Sequence, residues 1–232
     1  MDIKFLIAPL MYAVSIYIDV FTYHLKFNLH DNKNFRYLFS LINVFQYSAR
    51  GFILIFAPIM AYYTESVKDK DLIWLMTLLA HIFVILLLIM LYSRRYSLAI
   101  SRFIISKLNF FLGKAEYKKD FTIILNPTFR KEAINFKKDS LFFGFSFLAS
   151  SVYGFSMTFL YYIAFYFPQK VLMLSSYSQV LNSVGAMSLL LFIDPRMMAS
   201  IDNGKGLKEL NIITTSRICA HFVLILILLF IR

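Results

Sequence analysis

Long apolar runs recur along the chain, separated by short polar stretches that carry most of the charged residues. A membrane-spanning helix needs about 20 largely apolar residues in succession, and the chain offers such runs repeatedly. The pattern predicts an all-α integral membrane protein in which residues 1–232 form a single polytopic domain. The six predicted transmembrane helices are residues 3–23, 37–62, 72–92, 141–166, 171–193 and 209–231.

The first apolar run has the features of a retained span. Only Lys4 precedes it among the basic residues, Asp19 lies near its end, and no small-residue cleavage site follows it. A cleaved secretory signal would need a basic segment and such a site. We therefore expect the first span to stay in the protein.

Composition and charge agree with a membrane protein. The chain is 59% hydrophobic and 18% aromatic, with a mean hydropathy of +0.67. In such a protein the net charge of +11 reflects basic cytoplasmic loops, so we expect no nucleic-acid partner. The single cysteine, Cys219, lies inside an apolar run. It excludes a disulfide framework, and the sequence shows no Cys/His spacing for a metal and no sign of a cofactor.

The basic residues are distributed unequally among the predicted loops. Loops one, three and five hold Lys26, Lys33, Arg36, the eleven Lys and Arg residues of 93–139, and Arg196, Lys205 and Lys208, whereas loops two and four hold Lys68, Lys70 and Lys170. Lys and Arg accumulate in cytoplasmic loops. The odd-numbered loops are therefore predicted to be cytoplasmic, with both termini outside.

The long cytoplasmic loop, residues 93–139, contains a different kind of helix. Residues 94–114 interleave basic and bulky apolar side chains, which is typical of an amphipathic helix in the membrane interface. The alternative is a continuation of the third span with a basic anchor. A second short helix is predicted at residues 126–136, where Asn126 would cap it and Pro127 begin it. Both helices would hold the loop against anionic membrane lipids.

Three spans precede this loop and three follow it, so the second triplet enters the membrane from the opposite side. Such an arrangement favours an inverted-topology repeat of the kind found in transporters. The middle span of each triplet carries polar residues and a proline, namely Asn43, Gln46 and Pro58 in one and Gln179, Asn182 and Pro195 in the other. Because the spacings differ, a repeat and a chance similarity both stay open.

Polar residues inside the spans follow helical stripes. The stripes are Ser15, Asp19, Thr22 and Lys26 in the first span, Asn43, Gln46, Tyr47 and Arg50 in the second, and Asn211, Thr214, Arg217 and His221 in the sixth. A charge facing lipid would cost roughly 2.5–3.5 kcal/mol, so these side chains are expected to turn inward. One carboxylate cannot neutralise both Arg50 and Arg217. The excess positive charge favours an anionic ligand, and the Arg fork suits phosphate.

A structural alternative explains the same residues. Asp19 and Arg50 would form an ion pair that only fixes helix packing, and His221 would bond a neighbouring carbonyl. Small residues of the fourth span, such as Gly144, Ala149 and Gly154, are expected to let helix backbones approach closely. Around Pro195, the residues Asp194 to Gly206 predict a turn after the fifth span.

The sequence lacks the common motifs of enzymes. The sequence has no Gly-rich phosphate loop ending in Gly-Lys-Ser/Thr, no HExxH and no Gly-x-Ser-x-Gly, so nucleotide hydrolysis, zinc proteolysis and esterase activity are not expected. We therefore do not expect an enzyme.

Three short groups of residues are spaced as in a known family. They are Asp19, Tyr23 and Lys26, then Ser40, Leu41, Asn43, Arg50 and Pro58, and finally Asp194, Pro195, Asp202 and Gly204. This order resembles the alternate lipid II flippases, the Amj family, over most of the chain. The chain departs from the family pattern at Ala49, Ile53 and Phe56, where the family has polar residues, and at Lys26, where it has Arg. These departures concern ligand specificity more than the class of protein.

The resemblance implies a flippase of the bacterial cytoplasmic membrane that carries lipid II, an undecaprenyl-diphosphate-linked peptidoglycan precursor, from the inner to the outer leaflet. Arg50, Arg217 and Lys26 would hold the diphosphate. Asn43, Gln46 and Tyr23 complete the predicted binding site, and Asp19 and His221 are the candidates for proton or ion coupling. A carrier of another polyprenyl-diphosphate-linked sugar, a six-span scaffold for envelope assembly and a homodimer are left open.

Overall fold

The computed structural model describes residues 3–29, 34–112, 136–203 and 206–232, and within them the chain is helical and has no strand. The α-helices are α1 (Ile7–Leu29), α2 (Phe35–Tyr62), α3 (Lys70–Met90), α4 (Arg94–Leu112), α5 (Phe136–Tyr166), α6 (Val171–Ser188), α7 (Asp194–Asp202) and α8 (Leu207–Phe230). Short 3₁₀ segments precede α1 and α6. Two π-helical segments, Tyr63–Val67 and Leu189–Ile193, extend α2 and join α6 to α7.

Five stretches of the described chain are long and apolar enough to cross a membrane: residues 36–67, 70–90, 139–166, 168–202 and 207–230. The chain is thus an all-α, multi-pass membrane protein. α1 is not among these stretches, although it has 23 residues. Asp19, His24 and Lys26 lower its hydropathy, and other helices enclose it.

α1 differs from its predicted bounds. The prediction ended the first span at residue 23, whereas α1 continues to Leu29, and Phe21 to Leu29 are all buried. This polar end is held inside the bundle by α2, α3 and α4 instead of forming a loop. The sequence alone could not show that other helices surround this end of α1.

The two triplets of long helices pack in the same order. In the first, α1 lies between α2 and α3 and contacts both; in the second, α5 lies between α6 and α8 in the same way. The triplets meet mainly where α3 packs against α8, and α3 also contacts α5 while α8 contacts α1. α2 and α6 therefore lie at the outside of the bundle, one on each half.

α4 confirms the predicted helix in the third loop as a separate element, because a turn at Leu91 and Tyr92 breaks the chain after α3. It packs on α1 and α2 through a stripe of buried residues: Ser97, Ser101, Ile105 and Asn109. The stripe is largely polar, and its partners are Asn28 and Tyr37. The short helix predicted at residues 126–136 lies outside the described residues, except for Phe136, which begins α5.

The predicted turn after the fifth span is wrong at its start. Asp194 and Pro195 begin α7, a helix that continues to Asp202, because proline is tolerated in the first turn of a helix, where its missing N–H would have no partner. Asn203 follows the last helical residue, and its amide donates to the Ala199 carbonyl at 2.7 Å. Gly206, at φ 118°, then leads into α8 beside Phe27 and Ile201, in a backbone conformation that favours glycine.

Candidate functional site

One face of α1 carries polar residues along most of its length. Tyr12, Asp19, Tyr23 and Lys26 follow at intervals of seven, four and three, which places them on one side of a helix over roughly 20 Å. α2, α5, α7 and α8 contribute the groups that meet this face. We call the region around Asp19, Arg217 and these residues of α1 the central cleft.

Asp19 and Arg217 lie at the middle of the central cleft. Arg217 is 2% exposed, Asp19 is half-buried, and the charges of Arg217 and Arg50 both act on Asp19. Yet no ion pair among the described residues joins this carboxylate to either guanidinium, and Arg217 Nε has no hydrogen-bond partner. The predicted Asp19–Arg50 pair is therefore not formed.

Arg50 lies at the rim of the bundle. Its side chain is exposed and lies 5.3 Å from the ring centre of Tyr47. The prediction that the charged side chains turn inward is thus confirmed for Arg217, which is buried, and wrong for Arg50, which lies exposed at the rim of the bundle. Asn43 and Gln46 are half-buried on the same helix.

The end of the cleft at which α1 terminates is the basic end of the bundle. Here Lys26 is buried, with its ammonium 5.5 Å from the Tyr23 ring centre and 5.1 Å from that of Phe39. The Tyr23 hydroxyl donates a hydrogen bond to Asp194, and the charge of Asp194 acts on Lys26 and Asp19. Asp194 is a site residue that the sequence prediction assigned to a turn.

α7 is fixed across the basic end by ion pairs. Asp139 of α5 is 2% exposed, and it lies 3.0 Å from Arg196 of α7 and 3.2 Å from Lys208 of α8. The Arg196 guanidinium also covers the Phe142 ring at 4.4 Å. This network holds Asp194 against Tyr23. The only sequence signal for it was the proline that begins α7.

Aromatic rings close the other end of the cleft. Phe56 of α2 lies 5.4 Å from Tyr12 and 5.7 Å from Tyr161 of α5, measured between ring centres. Towards the basic end α2 packs on α1 and α4, and within the described chain it makes no substantial contact with α6. α2 and α6 therefore do not pack against each other, and Arg50 is exposed on α2.

Beyond Arg217, two histidines meet between α3 and α8. The Nδ1 atoms of His81 and His221 lie 2.8 Å apart, and Thr158 of α5 lies 3.1 Å from His81 Nε2. Tyr12 approaches both rings edge-on at 6.1 Å. The structure thus places His221 inward as predicted, but it bonds another histidine and not a carbonyl. The sequence prediction did not include His81, whose only signal was that it is a polar residue inside the apolar run of α3.

Close helix contacts surround this site. A Cβ atom on Gly185 of α6 would lie 3.1 Å from the Ala149 carbonyl of α5, and Ser216 of α8 donates to Ser146 of α5 at 2.6 Å. The prediction of close packing is therefore confirmed for Ala149 and Gly154, whereas a Cβ atom on Gly144 would meet nothing within 4 Å. The described residues contain no group of three or more side chains arranged to hold a metal ion.

Comparison of the chain with protein-family models, with curated proteins and with solved structures gives no match.

Proposed function

We propose that the protein is a lipid II flippase, which moves an undecaprenyl-diphosphate-linked peptidoglycan precursor from the inner to the outer leaflet of the bacterial cytoplasmic membrane. The observation that carries the proposal is Arg217, a buried guanidinium whose Nε has no partner and which forms no ion pair with the nearby Asp19. A buried cation without a partner is costly. A bound anion would supply the missing partner.

The charges around the cleft favour a diphosphate. Arg50, Arg217 and Lys26 carry three positive charges and Asp19 and Asp194 two negative ones, so one positive charge is left over. The two guanidinium groups, one buried and one at the rim, can each donate paired hydrogen bonds to a phosphate. Asn43, Gln46 and Tyr23 would contact the remaining headgroup, with Asp194 as an addition from the structure.

The absence of packing between α2 and α6 suits the lipid tail. A prenyl chain that stays between α2 and α6 would remain in the bilayer while its diphosphate enters the cleft. The lipid-facing sides of these helices are apolar, with Leu54 75% and Leu172 86% exposed. The basic end would be cytoplasmic and both termini outside, since Lys and Arg accumulate on the cytoplasmic side. α1 would then be a sixth span, shielded from lipid by its neighbours.

The packing order supports an inverted repeat. α1 and α5 each lie between the other two helices of their triplet, and α2 and α6 each end in a π-helical segment. In transporters built on such repeats, a site between the halves is exposed to the two sides in turn. Residues of both triplets, such as Asp19 and Arg217, meet in the central cleft, which would then be the site exposed to the two sides in turn.

Lipid II translocation in proteoliposomes tests the proposal. Arg50→Ala and Arg217→Met should each lower the rate at least tenfold, because each removes a charge-assisted contact that is worth about 1.5–3 kcal/mol. Arg232→Ala is the matched control. It removes an arginine at the far end, 3.7 Å from Asp71, and should leave the rate unchanged.

Three outcomes decide between the candidate functions. Transport that survives both cleft substitutions contradicts the diphosphate assignment. If the wild-type protein moves another polyprenyl-diphosphate-linked sugar but not lipid II, it is a flippase with a different substrate. A protein that moves neither, and cannot sustain wall synthesis in cells lacking their other lipid II flippase, would be the scaffold.

A further inference from the structure

The histidine pair between α3 and α8 has a definite arrangement of protons. His81 is 0% and His221 1% exposed, and their Nδ1 atoms lie 2.8 Å apart. Two lone pairs would repel at that separation, so one of the two nitrogens carries the proton of a hydrogen bond.

Thr158 decides which histidine donates. Its hydroxyl donates to the Gly154 carbonyl at 2.8 Å, so its oxygen accepts from His81 Nε2 at 3.1 Å. A neutral His81 with its proton on Nε2 can only accept at Nδ1. His221 therefore donates from Nδ1, and its Nε2 keeps a lone pair to which no group in the described part of the chain donates.

The charged and titratable groups near His221 connect it to the central cleft. Arg217 precedes it by one turn on α8, a spacing that puts the two side chains about 5–6 Å apart, and its charge acts on His221. Tyr12 of α1 faces both rings and its hydroxyl has no hydrogen-bond partner. Tyr153 of α5 and Asp19 complete the set, and each acts electrostatically on Tyr12.

We propose that His221 Nε2 is a proton-binding site whose occupancy is linked to the binding of a lipid-linked diphosphate at Arg217. The inference rests on the proposed function, since it takes the anion at Arg217 as given. A proton on His221 repels the Arg217 guanidinium in an empty cleft, and a bound anion offsets that repulsion. Each ligand therefore strengthens the binding of the other, and by linkage the two effects are equal in size.

Binding of farnesyl diphosphate to the detergent-purified protein tests this linkage. Wild type and His221→Gln are compared from about pH 8 to about pH 5, the range in which imidazole ordinarily titrates. The ratio of their affinities should rise by about tenfold towards the lower pH, a typical size for coupling between two sites. The probe's own titration cancels in the ratio, and inorganic diphosphate, measured in parallel, should show the same rise.

The outcomes separate this inference from the proposed function. If Arg217→Met leaves the affinity for farnesyl diphosphate unchanged, both the proposed function and this inference are contradicted. Binding that needs Arg217 but gives an affinity ratio independent of pH overturns this inference alone. Nitrogen NMR of histidine-labelled wild type gives a second readout: His81 protonated on Nε2 and His221 on Nδ1 supports the arrangement, and two Nε2 tautomers contradict it.

Discussion

Arg217 is buried without the partner that a buried charge normally has. A guanidinium placed for packing would be expected to close on a carboxylate, and Asp19 is near enough for its charge to be felt. No ion pair among the described residues joins the two. The buried charge of Arg217 therefore destabilises the folded state. Costs of this kind are common at binding sites, where stability is given up for function.

Arg217→Met should therefore keep or raise the thermal unfolding midpoint in detergent. The substitution removes a buried charge, keeps the side-chain length and breaks no ion pair. Arg196→Met is the contrasting variant: it takes one partner from Asp139 and should lower stability by about 1 kcal/mol, since Arg196 is partly exposed. If Arg217→Met instead cost 3–5 kcal/mol, the loss expected for a broken buried pair, Arg217 would be a packing residue.

Gly154 provides the space in which Tyr12 and His221 approach α5. A Cβ there would lie 2.7 Å from Leu224 Cδ1, 3.4 Å from the Tyr12 hydroxyl and 3.5 Å from His221 Cε1. Gly154→Ala should cost little because the leucine methyl can move. Gly154→Val should lower the free energy of unfolding by about 1–3 kcal/mol, as overpacking does. Gly144→Ala, which meets nothing within 4 Å, is the control, and equal effects of all three would contradict this account.

At the scale of elements, α4 is amphipathic and its two faces have different surroundings. Its buried stripe is largely polar and contacts α1 through Asn28, whose amide donates to Ser97 at 3.1 Å and to Ser101 at 2.9 Å. Its outward side chains include Phe103 and Phe110, 63% and 65% exposed, and Lys107. A basic and aromatic side of this kind is typical of a helix that lies in a membrane interface.

Asn28→Ala should loosen α4 from the bundle. Each lost hydrogen bond is worth about 0.6 kcal/mol on average in membrane proteins, so hydrogen exchange within residues 94–112 should accelerate several-fold while α3 keeps its protection. Phe103→Ala removes an outward side chain and should leave exchange in detergent unchanged. Faster exchange throughout the protein after Asn28→Ala would mean that Asn28 supports the whole bundle instead.

The sequence could predict the long apolar helices better than the short or polar ends of helices. α3, predicted at residues 72–92 and found at Lys70–Met90, follows from its apolar run alone, because a span needs about 20 apolar residues in succession. The end of α1 and the start of α7 were misplaced, because Lys26 and Asp194 look like loop residues until their partners are known. The same limit applies to the site: His221 and Arg217 were found by their stripe, whereas His81 and Asp139 depend on contacts between distant segments.

At the scale of the whole molecule, the two outer helices, α2 and α6, do not pack against each other. α2 is held by α1 and α4, and α6 by α5. Closing the cleft around a headgroup would bring α2 and α6 together while the seam between α3 and α8 stays fixed, as expected for halves that rock about a common site.

Distances between spin labels would detect this closure. Labels at Val44 of α2 and Val184 of α6, in a Cys219→Ser background, should move closer when farnesyl diphosphate is added. Labels at Leu86 of α3 and Phe222 of α8 should keep their distance. All four side chains are exposed, so labelling should not disturb the core. An unchanged distance between α2 and α6 would contradict closure.

The five charged residues around the cleft also have an electrical consequence. With both histidines neutral they sum to one positive charge. In the proposed flippase a diester diphosphate, with one negative charge on each phosphate, reverses that sign at high pH, where His221 binds no proton; a proton on His221 would leave the loaded cleft neutral. On a membrane that is negative inside, the loaded cleft would carry negative charge outward and the empty cleft positive charge inward. Both half-cycles then run downhill, by about 2.3 kcal/mol per charge for each 100 mV. Translocation in liposomes clamped with a potassium gradient should accordingly quicken with voltage, so the resting potential of the cell could drive turnover.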